Sequence, residues 1–166
     1  PFVSRGTIPA RDCMSMYATN ALLPVTDERW LLLYRGGNTH HNHTLPAGVS
    51  EAWQGIMGIS WPRGRFAGLQ TAPNGIGRLL LKPAIQTVPE IRINATVQGS
   101  LRAELRNPLG GRIPGFELHE SQAFSGDSCQ SILRWGEDGH TSASYRFYAV
   151  VVYLQVTDGI VYSVSI

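Results

Sequence analysis

The feature that most constrains the fold lies near the C-terminal end. Residues 148–154 (YAVVVYL) are consecutively apolar within a longer run over 146–156; Asp158-Gly159 follows, and then Ile160, Tyr162, Val164 and Ile166 alternate with Val161, Ser163 and Ser165. Three valines in a row, Val150, Val151 and Val152, place apolar groups on both faces of an extended chain, so this segment is expected to be a central strand covered on both sides. Asp-Gly supplies the positive φ that a two-residue type I′ turn requires, which predicts a closing β-hairpin.

Elsewhere no segment holds the 3.6-residue apolar period of a surface helix for three turns, while short period-two segments recur between Gly, Pro and Asn clusters. Residues 29–34 (RWLLLY) read as a strand ended by Gly36-Gly37, and residues 56–61 as a strand stopped by Pro62, which cannot continue a central ladder. Residues 78–82 are short and apolar. Ile91, Ile93, Ala95 and Val97 alternate with polar neighbours, as do Leu101, Ala103 and Leu105 after Gly99-Ser100, which predicts a half-buried antiparallel pair about that turn. Asn107-Pro108-Leu109-Gly110-Gly111 is turn chemistry, residues 131–135 read as a short strand, and 136–144 as a polar loop. The expected class is all-β: an antiparallel β-sandwich over 69–166, with residues 1–68 forming strands packed on it.

Charged residues are 16% of the 166 and hydrophobic residues 43%, which argues against a disordered tail or a charged helical rod. The basic set is thirteen scattered arginines and Lys82, without a run that could track a phosphate backbone, so no nucleic-acid partner is expected. No apolar stretch reaches the 18 residues of a membrane helix, and none has the flanks of a signal peptide. A soluble protein is expected, with no compartment assigned. Pro1 stands where an initiator Met would, which leaves open an upstream segment or a longer product. Cys13 and Cys129 lie far apart with no Cys-x-x-Cys, so unpaired thiols are expected.

The most conspicuous polar cluster is the segment 34–43 (YRGGNTHHNH), which carries three of the five histidines directly after a strand. In extended chain His41 and His43 share a face that His40 does not. No third or fourth ligand is defined by spacing, so neither a metal nor a cofactor is assigned. The plainer reading is an exposed polar loop. The functional reading takes Asn38, His40, His41 and His43 as hydrogen-bonding groups beside an aromatic surface that Trp30, Trp53 and Trp61 could supply, Trp53 foremost, suited to a hydroxyl-rich ligand, although such tryptophans more often belong to the core. For catalysis the signals are poor: no Gly-x-Ser-x-Gly and no phosphate loop occur. Asp127, in Ser125-Gly126-Asp127-Ser128, is the carboxylate to watch, with a turn-stabilising role as its ordinary reading.

From Trp30 to the end the chain resembles the C-terminal part of family-32-type glycoside hydrolases, the invertase, inulinase and levanase relatives, especially a bacterial branch in which a five-bladed propeller precedes a β-sandwich. The segment Trp30-Leu31-Leu32-Leu33-Tyr34-Arg35-Gly36-Gly37-Asn38-Thr39-His40 is similar to a late propeller strand and loop. Gly58-Ile59 through Phe66-Ala67-Gly68-Leu69 resembles the segment leading out of it, and Leu80-Leu81-Lys82-Pro83 the opening of the sandwich. Ile113-Pro114-Gly115-Phe116, Gly126-Asp127-Ser128 and Leu133-Arg134-Trp135 follow in the family's order.

The family's catalytic carboxylates lie in an Asn-Asp-Pro-type motif, an Arg-Asp-Pro and a Glu-Cys pair. None occurs here, and Arg11-Asp12-Cys13 lacks the proline. A four-stranded blade takes about 40–45 residues, so 68 residues cannot make a propeller. The resemblance therefore implies a non-catalytic carbohydrate-associated module, leaning away from an enzyme. Its rival is a structural or protein-interaction β domain, and an active glycosidase is the weakest reading. Strand edges left by a missing propeller predict packing on the sandwich or dimerisation.

Overall fold

The computed structural model describes residues 3–166. The chain is all-β with antiparallel sheets: half of it is strand, and among the described residues the helical content is one 3-10 turn, Ser142–Tyr145. It forms two compact units, Pro1–Arg63 and Gly64–Ile166.

In the first unit β1 (Ser15–Thr26), β2 (Arg29–Gly37) and β3 (Gln54–Pro62) form a three-stranded sheet in chain order. β3 ends at Pro62, as expected. Gly36 and Gly37 lie inside β2 instead of ending it, because close approach and not a turn is what they supply: a side chain at Gly36 would meet Met57 Sδ at 2.7 Å. No sequence signal marks β1. Its sequence, SMYATNALLPVT, has no period and contains Pro24, and ten of its twelve residues are exposed. Main-chain pairing to β2 makes it a strand, and an edge strand of this kind needs no buried face.

In the second unit β4 (Leu69–Gln70), β5 (Ile76–Leu80), β6 (Ala84–Ile85), β7 (Arg92–Arg106), β8 (Phe124–Ile132) and β9 (Ala149–Ser165) form one six-stranded sheet. β9 is central, with β7 along one side and β6, β5 and β4 in succession along the other. Val150, Val151 and Val152 are buried to 0, 5 and 0% exposure, as the triple valine predicts.

Both expected hairpins are corrected. β7 runs unbroken through Gly99-Ser100 and β9 through Asp158-Gly159, and the two pair along their whole length, from Arg92 with Ser165 to Arg106 with Val151. The turn signals fall opposite each other, at the register shift between Val97 with Gly159 and Ser100 with Thr157. Asp158 does adopt the positive φ expected of it, +47°, but in a bulge. A bulge relieves a long strand by bending it, and here both strands bend at one place. The strand expected over 131–135 is also moved: β8 ends at Ile132 and includes the Ser125–Ser128 segment read as a turn, while Trp135 makes isolated bridges to Ser121 and His140. β5 starts two residues before the expected segment.

One core unites both halves of the long strands. It contains Ile91, Ile93, Ala95 and Val97, then Leu101, Ala103 and Leu105, with Val150, Val152, Leu154, Val156 and Val161 from β9. Ile113, Phe116, Leu133 and Trp135 from the connecting segments complete it. The segment 64–68, assigned from the sequence to the first part of the chain, joins this unit through Arg65. That side chain donates to Asn94 Oδ1 at 2.8 Å and Thr96 Oγ1 at 3.1 Å, pairs with Asp127 at 2.6 Å, and lies over the Tyr162 ring.

Candidate functional site

The loop joining β2 to β3 holds all five residues singled out from the sequence, and it places them in different roles. Asn38 is buried and staples the loop: its Nδ2 donates to Glu51 O at 2.9 Å, and its Oδ1 accepts from Trp53 N at 2.7 Å. Burial and these two main-chain bonds give Asn38 a structural role in the loop. His40 and His43 form a tight turn, with His43 N donating to His40 O and His43 at a φ of +64°. Asn42 Oδ1 closes it by accepting from Thr44 N and Thr44 Oγ1. Both imidazoles are exposed. Trp53 is half-buried, its ring against Gly55 and under the Arg11 guanidinium, 5.1 Å from the ring centroid.

His41 points elsewhere. It lines a cavity of about 590 Å³ in the first unit together with Arg5, Met14, Met16, Tyr17, Leu32 and Tyr34. β1 and β2 build its wall: a register shift between Ala18 and Leu22 opens the pairing beside Tyr34. Tyr17 is 51% exposed, and its hydroxyl lies 3.3 Å from His41 Nδ1. Tyr34 is buried and donates to Asp12 Oδ2 at 2.8 Å. Burial, reinforced by the Asp12 carboxylate, pushes the Tyr34 phenol above its ordinary value and so keeps it a neutral donor. Arg5 donates to Met14 O at 3.0 Å. The cavity is thus lined by thioether and aliphatic side chains, by an exposed tyrosine, and by the polar groups of Arg5, His41 and Tyr34. Tyr17 and Arg5 escaped the sequence reading because the strand that presents Tyr17 carries no periodic signal.

The other chemistry-bearing groups are engaged in holding the fold. The Asp127 carboxyl is held below its ordinary value, first by its hydrogen bond to Arg65 and then by Thr96, and it ties β8 to β7. Cys13, which is buried, and Cys129 form no disulfide with each other. Among the described residues no group of three His, Cys, Asp or Glu side chains is placed to hold a metal ion, and no helix is long and apolar enough to cross a membrane.

His140 has acceptors at both ring nitrogens: Nδ1 is 2.9 Å from Asp138 Oδ1, and Nε2 is 2.9 Å from Gly115 O. Only the imidazolium donates from both nitrogens, so its affinity for protons rises, chiefly through Asp138, while the imidazole lowers that of Asp138. The sign follows from linkage. A raised imidazole value contributes stability below about pH 6.5 that is lost as pH rises through the folded value; the lowered Asp138 value contributes stability lost as pH falls through it. The loop is therefore held most firmly at mildly acidic pH. In an NMR titration the His140 midpoint is expected above that of an ordinary histidine and falls back in Asp138→Asn; equal midpoints in the two proteins would contradict the assignment.

No protein-family model, no curated protein and no solved structure matches the chain.

Proposed function

We propose that the chain is a non-catalytic carbohydrate-associated module that takes a small saccharide in the cavity of its first unit. The observation that carries this reading is an exposed tyrosine paired with a polar group in one cavity wall: Tyr17 is 51% exposed with its hydroxyl 3.3 Å from His41 Nδ1, and the same cavity is lined by Arg5 and by the apolar Met16 and Leu32. A sugar ring has an apolar face that stacks on an aromatic ring and a rim of hydroxyls that need fixed donors and acceptors, and tyrosine supplies both kinds of surface. The volume falls within the roughly 300–1,000 Å³ of small-molecule sites. The resemblance to the C-terminal part of family-32-type glycoside hydrolases points to the same ligand class, with the catalytic carboxylate motifs absent.

The test is thermal melting of the full chain against a panel of fructans and common oligosaccharides. A ligand at ten times its Kd stabilises the native state by about 1.4 kcal/mol, a shift of several degrees. One sugar class is expected to raise the melting temperature, and Tyr17→Ala, a change at an exposed position, to abolish the rise. No rise for any sugar at concentrations that reveal millimolar binding would remove this reading.

A second reading, a structural or interaction β domain that self-associates and has no sugar site, is favoured by one observation. The edge strand β1 exposes Leu22, Leu23 and Val25 at 40, 42 and 57%, and among the described residues no strand pairs with its outer side. Its signature is a dimer in light scattering at high concentration together with a flat saccharide panel.

A further inference from the structure

The outer face of β7, opposite the core, carries a second concave feature in the other unit. Alternation along the strand puts Arg102, Glu104 and Arg106 on one face, and Tyr153 of β9 lies directly across from Glu104. The turn 107–111 then returns Arg112 opposite Arg106. That turn is set by Asn107, whose Oδ1 accepts from Leu109 N and Gly111 N, and by Gly110 at a φ of +89°. Two arginines brought face to face repel unless a counter-charge lies between them. Glu104 is that counter-charge: its side chain is 3% exposed, with Arg106 Nε at 2.6 Å on one oxygen and Arg112 Nε at 3.4 Å on the other.

The arrangement exceeds what a buried carboxylate needs. One guanidinium neutralises Glu104, yet two converge on it, and Arg102 stands two residues away with its guanidinium on Ser121 O. Both Arg106 and Arg112 approach Glu104 through Nε, so each keeps terminal N–H groups for other acceptors. Arg106 is further fixed by stacking, its guanidinium carbon 4.9 Å from the Tyr153 ring centroid. These groups border a cavity of about 390 Å³ that also includes Glu117, Leu118 and His119. Three guanidiniums there face two carboxylates, which leaves a positive surplus. Glu117 is turned to the main chain, accepting from Gly115 N at 2.8 Å.

We propose that this cavity is an oxyanion site for a small phosphate-bearing ligand, held by the terminal nitrogens of Arg106 and Arg112, with Tyr153 and Leu118 as the wall for its organic part. Tetrahedral phosphate accepts from donors in several planes, which suits two guanidiniums meeting at an angle over one carboxylate better than a single flat fork does. The size of the cavity suits a metabolite and not a macromolecule. The site is in the second unit and shares no residue with the saccharide cavity, so the two readings stand or fall separately.

The experiment is titration of the isotopically labelled full chain with inorganic phosphate and with glycerol 3-phosphate, followed by amide shifts of residues 102–119, against sodium chloride at matched ionic strength. Saturable shifts centred on this segment are expected at or below about 20 mM, a level that populates a millimolar site. Arg112→Gln, a change at an exposed side chain, is expected to weaken binding about tenfold, and Glu104→Gln, which removes the competing charge and keeps the shape, to tighten it about fivefold. If Glu104→Gln does not fold, Glu117→Gln provides the same test of a removed negative charge. Tighter binding of glycerol 3-phosphate than of phosphate would assign the apolar wall to the ligand's organic part, and equal affinities would assign the site to phosphate alone. Shifts no larger than those caused by sodium chloride, or unchanged affinity in Arg112→Gln, overturn the proposal.

Discussion

Replacing Trp135 by alanine is expected to remove a large part of the stability of the second unit. The ring is fully buried and packs edge-on against Phe116, with centroids 5.1 Å apart, in a cluster that continues to His140 and Tyr145. Its Nε1 donates to Ala103 O at 2.9 Å. That bond has a particular place in the sheet. β8 pairs with β7 only as far as Leu101, and beyond it the open edge of β7 is completed by side chains: Ser121 Oγ accepts from Ala103 N at 2.9 Å and Trp135 donates to the carbonyl of the same residue. Two main-chain bonds then finish the edge, Leu105 N to Phe116 O and Ile113 N to Leu105 O. Truncation to alanine removes about 3–5 kcal/mol of packing and strands a buried carbonyl at roughly 1–3 kcal/mol. That is the scale of the whole stability of a domain, about 5–15 kcal/mol. Calorimetry should show the melting temperature of this unit falling by on the order of 15 °C or more. Trp135→Phe keeps much of the volume and loses the donor, and should cost less than half as much. A drop of only a few degrees in the alanine variant would mean that the edge of β7 is closed in some other way.

The strands of this unit were legible in the sequence because burial writes its period into β7 and β9. The odd positions from Ile91 to Leu105 and the triple valine identify the core face without any knowledge of partners. The connections were not legible. Gly99-Ser100 and Asp158-Gly159 carry the same local chemistry whether they turn a chain or bulge it, and the choice depends on a partner that is distant in sequence. Two segments that each read as a hairpin can instead lie side by side and pair through both interruptions, and in this chain they do. The candidate site was less legible for a related reason. The histidine loop stood out by composition, but a side chain's role depends on which way a turn sends it: Asn38 went into the fold, His40 and His43 into a tight turn, and His41 alone to the cavity wall. Tyr17 stayed hidden because an edge strand held by main-chain bonds leaves no pattern in its side chains.

The doubled interruption leads to the last expectation, that valine at position 99 will destabilise the second unit strongly, although residue 99 is exposed. A Cβ at Gly99 would lie 2.4 Å from the carbonyl oxygen of Thr157 and 2.7 Å from its Oγ1. The carbonyl belongs to the central strand and cannot yield without moving β9. The same threonine seals the paired bulge: its Oγ1 accepts from Ser100 N at 2.9 Å and lies 3.1 Å from Ser100 Oγ. On the far side Thr71 N donates to Gly159 O at 3.0 Å, and Gly159 N returns a bond to Thr71 Oγ1 at 3.1 Å. A side chain at 99 therefore displaces a network that spans β7, β9 and the segment after β4. Overpacking of this kind costs about 1–3 kcal/mol when side chains absorb it, and the upper end or more is expected here because main chain must move. Thr157→Ala in the Gly99→Val background removes the Oγ1 clash and leaves the carbonyl clash, so it should recover little. Full recovery in that double variant would show that the side chain, and not the strand, sets the limit. Gly99→Ala should lie between wild type and valine, and a Gly99→Val protein that melts with the wild type would mean that the two bulges are not locked to each other.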